Sequence, residues 1–228
     1  NRTDKEELMD DFSIGGDLLR DTLDKLENIN RWLGGNLMTV KSLKKVLSNH
    51  PKEQEVVIAD IGCGHGDILR DVAKFGRKNG YKMKLIGMDA NPTAIAYANE
   101  LSAEFPEISF KTEDIFSDKF KNREFDVVLA TLFLHHFKEP QLVSFLKNTL
   151  KQTKIAVIVN DLHRHKLAYY LFMLLSAFIK NKMIIEDGLT SVLRGFKRND
   201  LERISKKLKV KAQISWKWAF RFQWILRE

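Results

Sequence analysis

The chain has 228 residues with a formal net charge of +8, and 44% of its residues are hydrophobic. This composition excludes a disordered chain and predicts one large globular domain, with room for an added lobe. The single cysteine, Cys63, excludes an internal disulfide and an iron–sulfur cluster built on the chain's own thiolates. It favours a reducing, cytoplasmic compartment. The N-terminal residues are charged and lack the apolar core of a signal peptide, so none is predicted.

The lysines are spread along the chain at helical spacings and do not form blocks of like charge. This distribution favours solvated helix faces over a nucleic-acid footprint. We therefore expect no nucleic-acid partner, although the net positive charge permits an anionic one.

The first 50 residues are predicted to be helical and are treated as a lid or extension of the core. The first helix carries an apolar stripe and ends at Gly34-Gly35. The stripe consists of Leu19, Leu23, Leu26, Ile29 and Leu33. A second, basic helix over 39–49 leads to Pro51, where the core (51–228) begins.

From residue 55 onward, apolar runs of strand length alternate with amphipathic helices. Strands are predicted at 55–61, 83–89, 108–114, 125–133 and 154–161, and helices at 67–80, 92–105 and 139–151. Strands without internal alternation, separated by helices, indicate a parallel sheet covered on both faces. The final segments, 209–218 and 220–228, alternate and predict an antiparallel hairpin at the sheet edge. The predicted fold is α/β, a doubly wound and mostly parallel sheet of seven strands.

A hydrophobic helical insert is predicted at about 164–190. Residues 166–180 are almost all apolar, but the segment is too short to cross the hydrocarbon core of a bilayer, about 30 Å thick. We expect a helix that is buried against the sheet or roofs a pocket. Peripheral contact with a membrane stays open.

The loop after the first strand reads "DIGCGHGD" (60–67), with glycines on alternate positions. A dinucleotide-binding loop would place a third glycine at position 67, which is Asp67 here. Acids at this point are unsuited to a pyrophosphate, and no phosphate loop of the G-x-x-x-x-G-K-[ST] type is present. The loop suits a ligand with a cationic head.

"DIGCGHGD" resembles the first motif of class I S-adenosylmethionine-dependent methyltransferases of the small-molecule type, such as those of quinone biosynthesis and polyketide tailoring. "LIGMDANP", "TEDIF" and "FDVVLATLFLHHF" resemble further motifs of that family, in the same order. The resemblance covers residues 54–161 and continues into 191–204, which is similar to the helix before the last hairpin. It implies the Rossmann-like fold of that family and S-adenosyl-L-methionine as cofactor.

The resemblance also implies cofactor contacts, with Asp89 on the ribose and Asp114 with the Ile115 amide on adenine. The implied cofactor-binding residues are Asp60, Gly62, Cys63, Gly64, Gly66, Asp89, Ala90, Asp114, Ile115 and Thr131. The alternative for Asp89 is a cap on the helix that starts near Pro92.

The acceptor is predicted to be a hydrophobic small molecule. Enzymes that methylate exocyclic nitrogens of nucleic-acid bases carry an Asn/Asp-Pro-Pro-aromatic turn after the fourth strand, and this chain lacks it. Cytosine C5 methylation needs a cysteine nucleophile, but the single cysteine lies in the glycine loop. Both reactions are therefore disfavoured. The aromatic residues of 166–180 favour a phenolic, quinone-like or polyketide acceptor, unless they are core. Two alternatives remain: an RNA- or protein-modifying methyltransferase, and a non-catalytic cofactor-binding protein.

Methyl transfer from a sulfonium is a linear displacement that needs alignment, so no metal is predicted. A phenol benefits from a base, because its pKa of about 10 keeps it protonated at neutral pH. The candidate bases are His163, His136 and His135. The candidate substrate-binding residues are Trp32, Arg164, Tyr169 and Tyr170, with a pair between Arg164 and Asp161 as the alternative for the arginine.

Overall fold

The computed structural model describes residues 2–11, 14–179 and 181–228. Within these ranges seven strands form one sheet, in the order β3-β2-β1-β4-β5-β7-β6. The strands are β1 (Val56–Ile61), β2 (Met83–Asp89), β3 (Ile108–Thr112), β4 (Phe125–Thr131), β5 (Thr153–Leu162), β6 (Lys211–Lys217) and β7 (Arg221–Arg227). Strands β1 to β5 pair in parallel, whereas β7 is antiparallel to both β5 and β6. The predicted fold class is confirmed.

Helices cover both faces of the sheet. They are α1 (Gly16–Trp32), α2 (Gly35–Val46), α3 (Asp67–Asn79), α4 (Pro92–Leu101), α5 (Asp118–Lys121), α6 (Glu139–Lys151), α7 (Lys166–Ser176), α8 (Lys182–Arg194) and α9 (Arg198–Leu208). Successive residues of β1 serve opposite faces: Ile58 packs with α2 and α3, and Ala59 packs with the cluster that includes α6 and α9. Because both faces are buried, the strands are continuous apolar runs.

The two N-terminal helices have different positions. Helix α2 packs on β5 and α3, and its Leu43 belongs to the core on that face of the sheet. Helix α1 contacts α4, where Leu19 and Leu23 pack against Ala94. Helix α2 begins four residues earlier than predicted, because the left-handed backbone of Gly34 (φ 75°) lets the chain turn sharply between the helices.

The insert differs from the expectation. Helix α7 packs on α8, where a Cβ on Gly188 would lie 2.2 Å from the ring of Phe172. Ala168 is the buried residue of α7. We expected this helix to be buried, and that is wrong for the face of α7 that points away from α8. That face is exposed because α7 packs on another helix and not on the sheet. The exposed large side chains of α7 and the turn after it are Leu167, Tyr170, Leu171, Met173, Leu174 and Phe178.

The expected helix over 191–204 is interrupted. Helix α8 ends at Arg194 and α9 begins at Arg198. Between them Phe196 is 1% exposed and forms a short parallel bridge, donating its N–H to the Leu162 carbonyl at 2.8 Å. Pairing with the end of β5 replaces the helical hydrogen bonds at this point. No helix in the described ranges has both the length and the apolar content to cross a bilayer.

Helix α4 is capped by Asn91, whose side-chain oxygen accepts from the Thr93 and Ala94 amides at 2.8 and 3.1 Å. We expect Asn91→Ala to lower the free energy of unfolding by about 1 kcal/mol, because two helix N–H groups lose their acceptor. Asn91→Ser keeps an acceptor, although both variants lose the bond that the Asn91 amide donates to the Ile14 carbonyl. The difference between the variants in urea denaturation isolates the cap. Equal stabilities would contradict this assignment.

Candidate functional site

A cavity of about 1500 Å³ lies at the carboxyl ends of the parallel strands. The loops after β1, β2, β3 and β4 line it, together with α1 and the N-terminal segment 2–11. Ligand pockets commonly measure about 300–1,000 Å³, so this cavity exceeds the need of one small ligand. Its position follows from the topology, because parallel strands β1 and β4 diverge into different helical layers at this edge.

The glycine loop is shaped by packing on two sides. Gly62 has a φ of 68°, and a Cβ there would lie 2.2 Å from the Phe133 ring, so any side chain would displace that aromatic residue. Gly64 also has a positive φ, of 52°, and its N–H donates to Asp89 Oδ2 at 2.9 Å. The loop is therefore joined to the end of β2.

Three carboxyl groups, one buried and two partly buried, line the cavity beside this loop. Asp60 is 1% exposed, and its Oδ1 has no hydrogen-bond partner within the described chain. Burial raises the pKa of Asp60, and the charges of Asp67 and Asp89 raise it further. Burial likewise raises the pKa values of Asp67 and Asp89, against the hydrogen bonds that these two accept. The arrangement favours a cationic ligand, which would offset the cost of ionising these groups.

Asp89 does not cap α4; Asn91 does. The Asp89 carboxylate accepts from the backbone amides of Gly64 and Asn91, both at 2.9 Å. A carboxylate has about four acceptor positions, so Asp89 keeps room for a ligand hydroxyl.

The loop after β3 brings Asp114 and Ile115 to the same cavity. Asp114 is exposed, and its Oδ1 accepts from the Phe116 amide at 2.9 Å, which fixes the turn. Ala90 and Thr131 also line the cavity. Cys63 and Gly66 complete the loop after β1, and burial followed by the Asp89 charge raises the pKa of the Cys63 thiol well above its usual range. This thiol is therefore unsuited to act as a nucleophile.

A cluster of aromatic rings lines part of the cavity, next to the glycine loop. The rings of Phe133 and Phe137 meet edge to face with centroids 5.1 Å apart, and Phe116 meets Phe137 at 5.6 Å. The lining here also includes Leu132 and Pro140.

Two adjacent histidines form the polar wall of this part of the cavity. His135 is 2% exposed, and its Nδ1 lies 2.7 Å from Asp161 Oδ1. His136 Nδ1 lies 2.6 Å from Asp10 Oδ1. Burial alone would lower the pKa of His135, but the Asp161 and Glu7 carboxylates raise it to about 9.

The N-terminal segment covers this wall. Arg194 Nη1 donates to Asp10 Oδ2 at 2.7 Å, and the Asp187 carboxylate accepts from the Leu8 and Met9 amides. Glu7 is also buried, at 8% exposure. Sequence reasoning missed Glu7, Asp10 and Arg194, because Asp10 lies 126 residues from the histidine that it contacts and no local pattern marks the encounter.

Some predicted residues lie away from the cavity. His163 Nδ1 accepts from Trp216 Nε1 at 3.2 Å, and Arg164 pairs with Asp200 at 3.1 Å and not with Asp161. Trp32 is 75% exposed at the end of α1. Tyr169 and Tyr170 lie on α7, where their rings contact each other. The structure does not bring these five candidates to the cavity lining, and their roles stay predictions.

The strand order, with one antiparallel strand inserted near the edge, and the ligand-sized cavity above β1 and β4 define the class I methyltransferase fold. Residues 58–155 match a family model described as a methyltransferase domain. Over residues 58–155 the chain therefore matches a methyltransferase domain, and the fold agrees with the predicted class I S-adenosylmethionine-dependent type and its cofactor. Comparison with curated proteins gives no significant match.

Solved structures share the fold at low sequence identity. The plantazolicin methyltransferase BpumL with SAH has a TM-score of 0.68 at 17% identity, over 92% of this chain and 89% of that one. The magnesium protoporphyrin IX methyltransferase ChlM from Synechocystis PCC 6803 scores 0.56 at 14% identity, covering 84% and 83%. An O-methyltransferase family 2 protein from Planctomyces limnophilus, in complex with apigenin, scores 0.67 at 13%, covering 92% and 61%.

The buried Asp60 leads to a pH prediction. A carboxyl group whose pKa is raised by folding costs stability as the pH rises from its unfolded value, about 3.9, through its folded value. In the absence of cofactor, Asp60→Asn should therefore be more stable than the parent at neutral pH, and this advantage should vanish near pH 4. Melting temperatures measured across that range test this, with about 2–4 °C expected per kcal/mol in a chain of this size. A destabilised variant at neutral pH would show that the charge is already compensated.

Proposed function

We propose that the chain transfers the methyl group of S-adenosylmethionine to a hydrophobic small molecule, at the hydroxyl of a phenolic, quinone-like or polyketide acceptor. The observation that carries this proposal is one cavity with two unlike sets of lining residues. One set gathers largely buried carboxyl groups beside a glycine loop, and the other joins aromatic rings to a histidine pair. The first set matches a cationic cofactor, and the second matches an apolar acceptor with one polar group.

In this proposal the cofactor lies along the ends of β1, β2 and β3. Its methionine ammonium lies near Asp60, whose unpartnered Oδ1 is available to it. The ribose hydroxyls donate to Asp89, and the adenine contacts the Asp114 carboxylate and the Ile115 amide, both at the cavity lining. The remaining proposed contacts come from loop residues that line the same cavity or complete its glycine turn: Gly62, Cys63, Gly64, Gly66, Ala90 and Thr131.

The acceptor then occupies the end near Phe133 and Phe137. A planar aromatic acceptor can pack against their edge-to-face pair while its hydroxyl points to the His135–His136 wall. The apigenin complex of the O-methyltransferase family 2 protein supports a phenolic acceptor on this fold. The CurJ carbon methyltransferase shares the fold at a TM-score of 0.64 and 13% identity, covering 84% of this chain and 53% of that one, so carbon is the alternative methylated atom.

Replacing the ribose-binding carboxylate tests the cofactor end. We expect Asp89→Ala to weaken S-adenosylhomocysteine binding by about tenfold to a hundredfold, because hydrogen bonds to a charged group contribute about 1.5–3 kcal/mol. Calorimetric titration measures this affinity. The matched control is Asp126→Asn, since Asp126 lies at the opposite edge of the sheet and accepts from the Val57 amide. Unchanged affinity in Asp89→Ala, with the control intact, would remove Asp89 from the cofactor site.

The acceptor class is tested with a panel of phenols, quinols and polyketide-like aromatics incubated with methyl-labelled cofactor. We expect label in the ether-soluble product, with the methyl group on oxygen by NMR. Phe137→Ala should raise the KM for these acceptors more than it lowers kcat, because it removes an apolar wall of the pocket. A methyl label found on carbon would contradict methylation of the hydroxyl and would identify the enzyme as a carbon methyltransferase.

The same assay separates the alternative of an RNA- or protein-modifying enzyme. Binding of a nucleic acid by a chain of net charge +8 would weaken steeply with salt as counterions are released. For an uncharged aromatic acceptor we expect an almost flat dependence of KM between 50 and about 200 mM salt. A steep loss would favour the macromolecular substrate.

A further inference from the structure

Glu7, His135 and His136 come together at the covered end of the cavity. Each offers one ligand atom, and these atoms lie within 4.8 Å of one another. The three residues belong to two remote parts of the chain, the N-terminal segment and the short turn after β4. All three line the cavity, so an atom held between them would face its interior.

Two of these ligand atoms have no hydrogen-bond partner within the described chain. They are Glu7 Oε1 and His135 Nε2, both on side chains that are more than nine-tenths buried. The two atoms lie 3.4 Å apart. Their contact with each other is a long ion pair, so a ligand shared between them would satisfy both buried atoms.

The other ring nitrogen of each histidine is already held by a carboxylate. Asp161 holds Nδ1 of His135 at 2.7 Å, and Asp10 holds Nδ1 of His136 at 2.6 Å. In the neutral imidazole such a contact keeps the proton on Nδ1, so a metal ion that displaces the proton of Nε2 would find that nitrogen facing the shared point. Histidines that bind a metal through one ring nitrogen almost always donate the N–H of the other nitrogen to a carboxylate, a carbonyl or water.

The spacing is somewhat wider than that of an occupied metal centre, with the three ligand atoms within 4.8 Å of one another, so the side chains would draw together around an ion. Tetrahedral ligands at about 2.0–2.1 Å from zinc lie about 3.4 Å from one another. His135 Nε2 is 3.4 Å from Glu7 Oε1, and His136 Nε2 is 3.9 Å from Glu7 Oε2. Arg194 is the neighbouring guanidinium; it pairs with Asp10 at 2.7 Å and lies 3.8 Å from Glu7, so Glu7 is not its main partner.

We propose that Glu7, His135 and His136 bind a divalent transition-metal ion of the zinc class, whose open position faces the acceptor end of the cavity. Two imidazoles and one carboxylate suit zinc and its transition-metal neighbours, and not the all-oxygen preference of magnesium or calcium. A set of three protein ligands leaves one position open, as in catalytic zinc sites.

The role of the ion rests on the proposed function. A phenol oxygen bound at the open position loses its proton to solvent more readily, because the ion stabilises the phenolate. That oxygen then forms a bond to the sulfonium methyl carbon while the carbon–sulfur bond breaks, and its electron pair stays on sulfur to give the neutral thioether. The transfer itself needs no metal; the ion acts on the acceptor.

The test titrates chelator-treated full-length protein with Co²⁺ as a spectroscopic probe, followed by Zn²⁺ as competitor. We expect one ion per chain, the visible absorption of tetrahedral Co²⁺, and its displacement by Zn²⁺. Glu7→Gln and His136→Ala should weaken binding at least a hundredfold, and Asp10→Asn about tenfold to a hundredfold. His50→Ala is the matched control, because His50 contacts the Pro51 carbonyl away from the cavity. Its affinity should be unchanged.

Circular dichroism and S-adenosylhomocysteine binding of each variant establish that it is folded, and Glu7→Gln keeps the side-chain shape. The proposal is overturned if Co²⁺ and Zn²⁺ show no saturable one-to-one uptake, or if folded Glu7→Gln and His136→Ala bind as tightly as the parent. In that case the cluster is an ion-paired group in which His135 is shared between Asp161 and Glu7. Methyl transfer at full rate after chelation would overturn the acceptor role. Failure of cofactor binding, with metal binding intact, would instead refute the proposed function.

Discussion

Burial of carboxyl groups at the carboxyl edge of a parallel sheet is the constraint on which the site depends. Parallel pairing of β1 with β2 places Asp60 and Asp89 at neighbouring strand ends, and the glycine loop closes over them. Both carboxyl groups have raised pKa values because they are buried. Folding therefore carries an electrostatic cost that a cationic ligand would offset, so this edge of the sheet favours a cationic ligand over a pyrophosphate.

The glycine loop brings its backbone close to the cavity, and it also packs tightly against a neighbouring side chain. Its left-handed turns allow close approach of backbone to the cavity, yet the space beside Gly62 is filled by the Phe133 ring. Phe133 also forms the aromatic wall of the acceptor end with Phe137. One side chain thus couples the shape of the cofactor loop to that of the acceptor pocket, and a change at either would be felt at the other.

The N-terminal segment gives the cavity its polar end. It supplies Glu7 and Asp10 to a histidine pair that the core alone would leave without these partners. Asp187 of α8 anchors this segment through two backbone amides. The insert therefore contributes to the site indirectly, by positioning the chain that covers it, while the outer face of α7 remains exposed.

The sequence by itself determined the strands, the helices that cover the sheet and the glycine loop, because burial on one or both faces imposes a local periodicity on the residues. The cofactor-side candidates Asp60, Asp89 and Asp114 all line the cavity, since each lies at or just after the carboxyl end of a strand that the topology brings to that edge. Only the tertiary structure shows which residues form the part of the cavity that the N-terminal segment covers. It places His163 against Trp216, away from the cavity lining. It also places Glu7 and Asp10 beside His135 and His136, which do line the cavity. Contacts between segments more than a hundred residues apart depend on how whole elements pack, and no local pattern of residues encodes them.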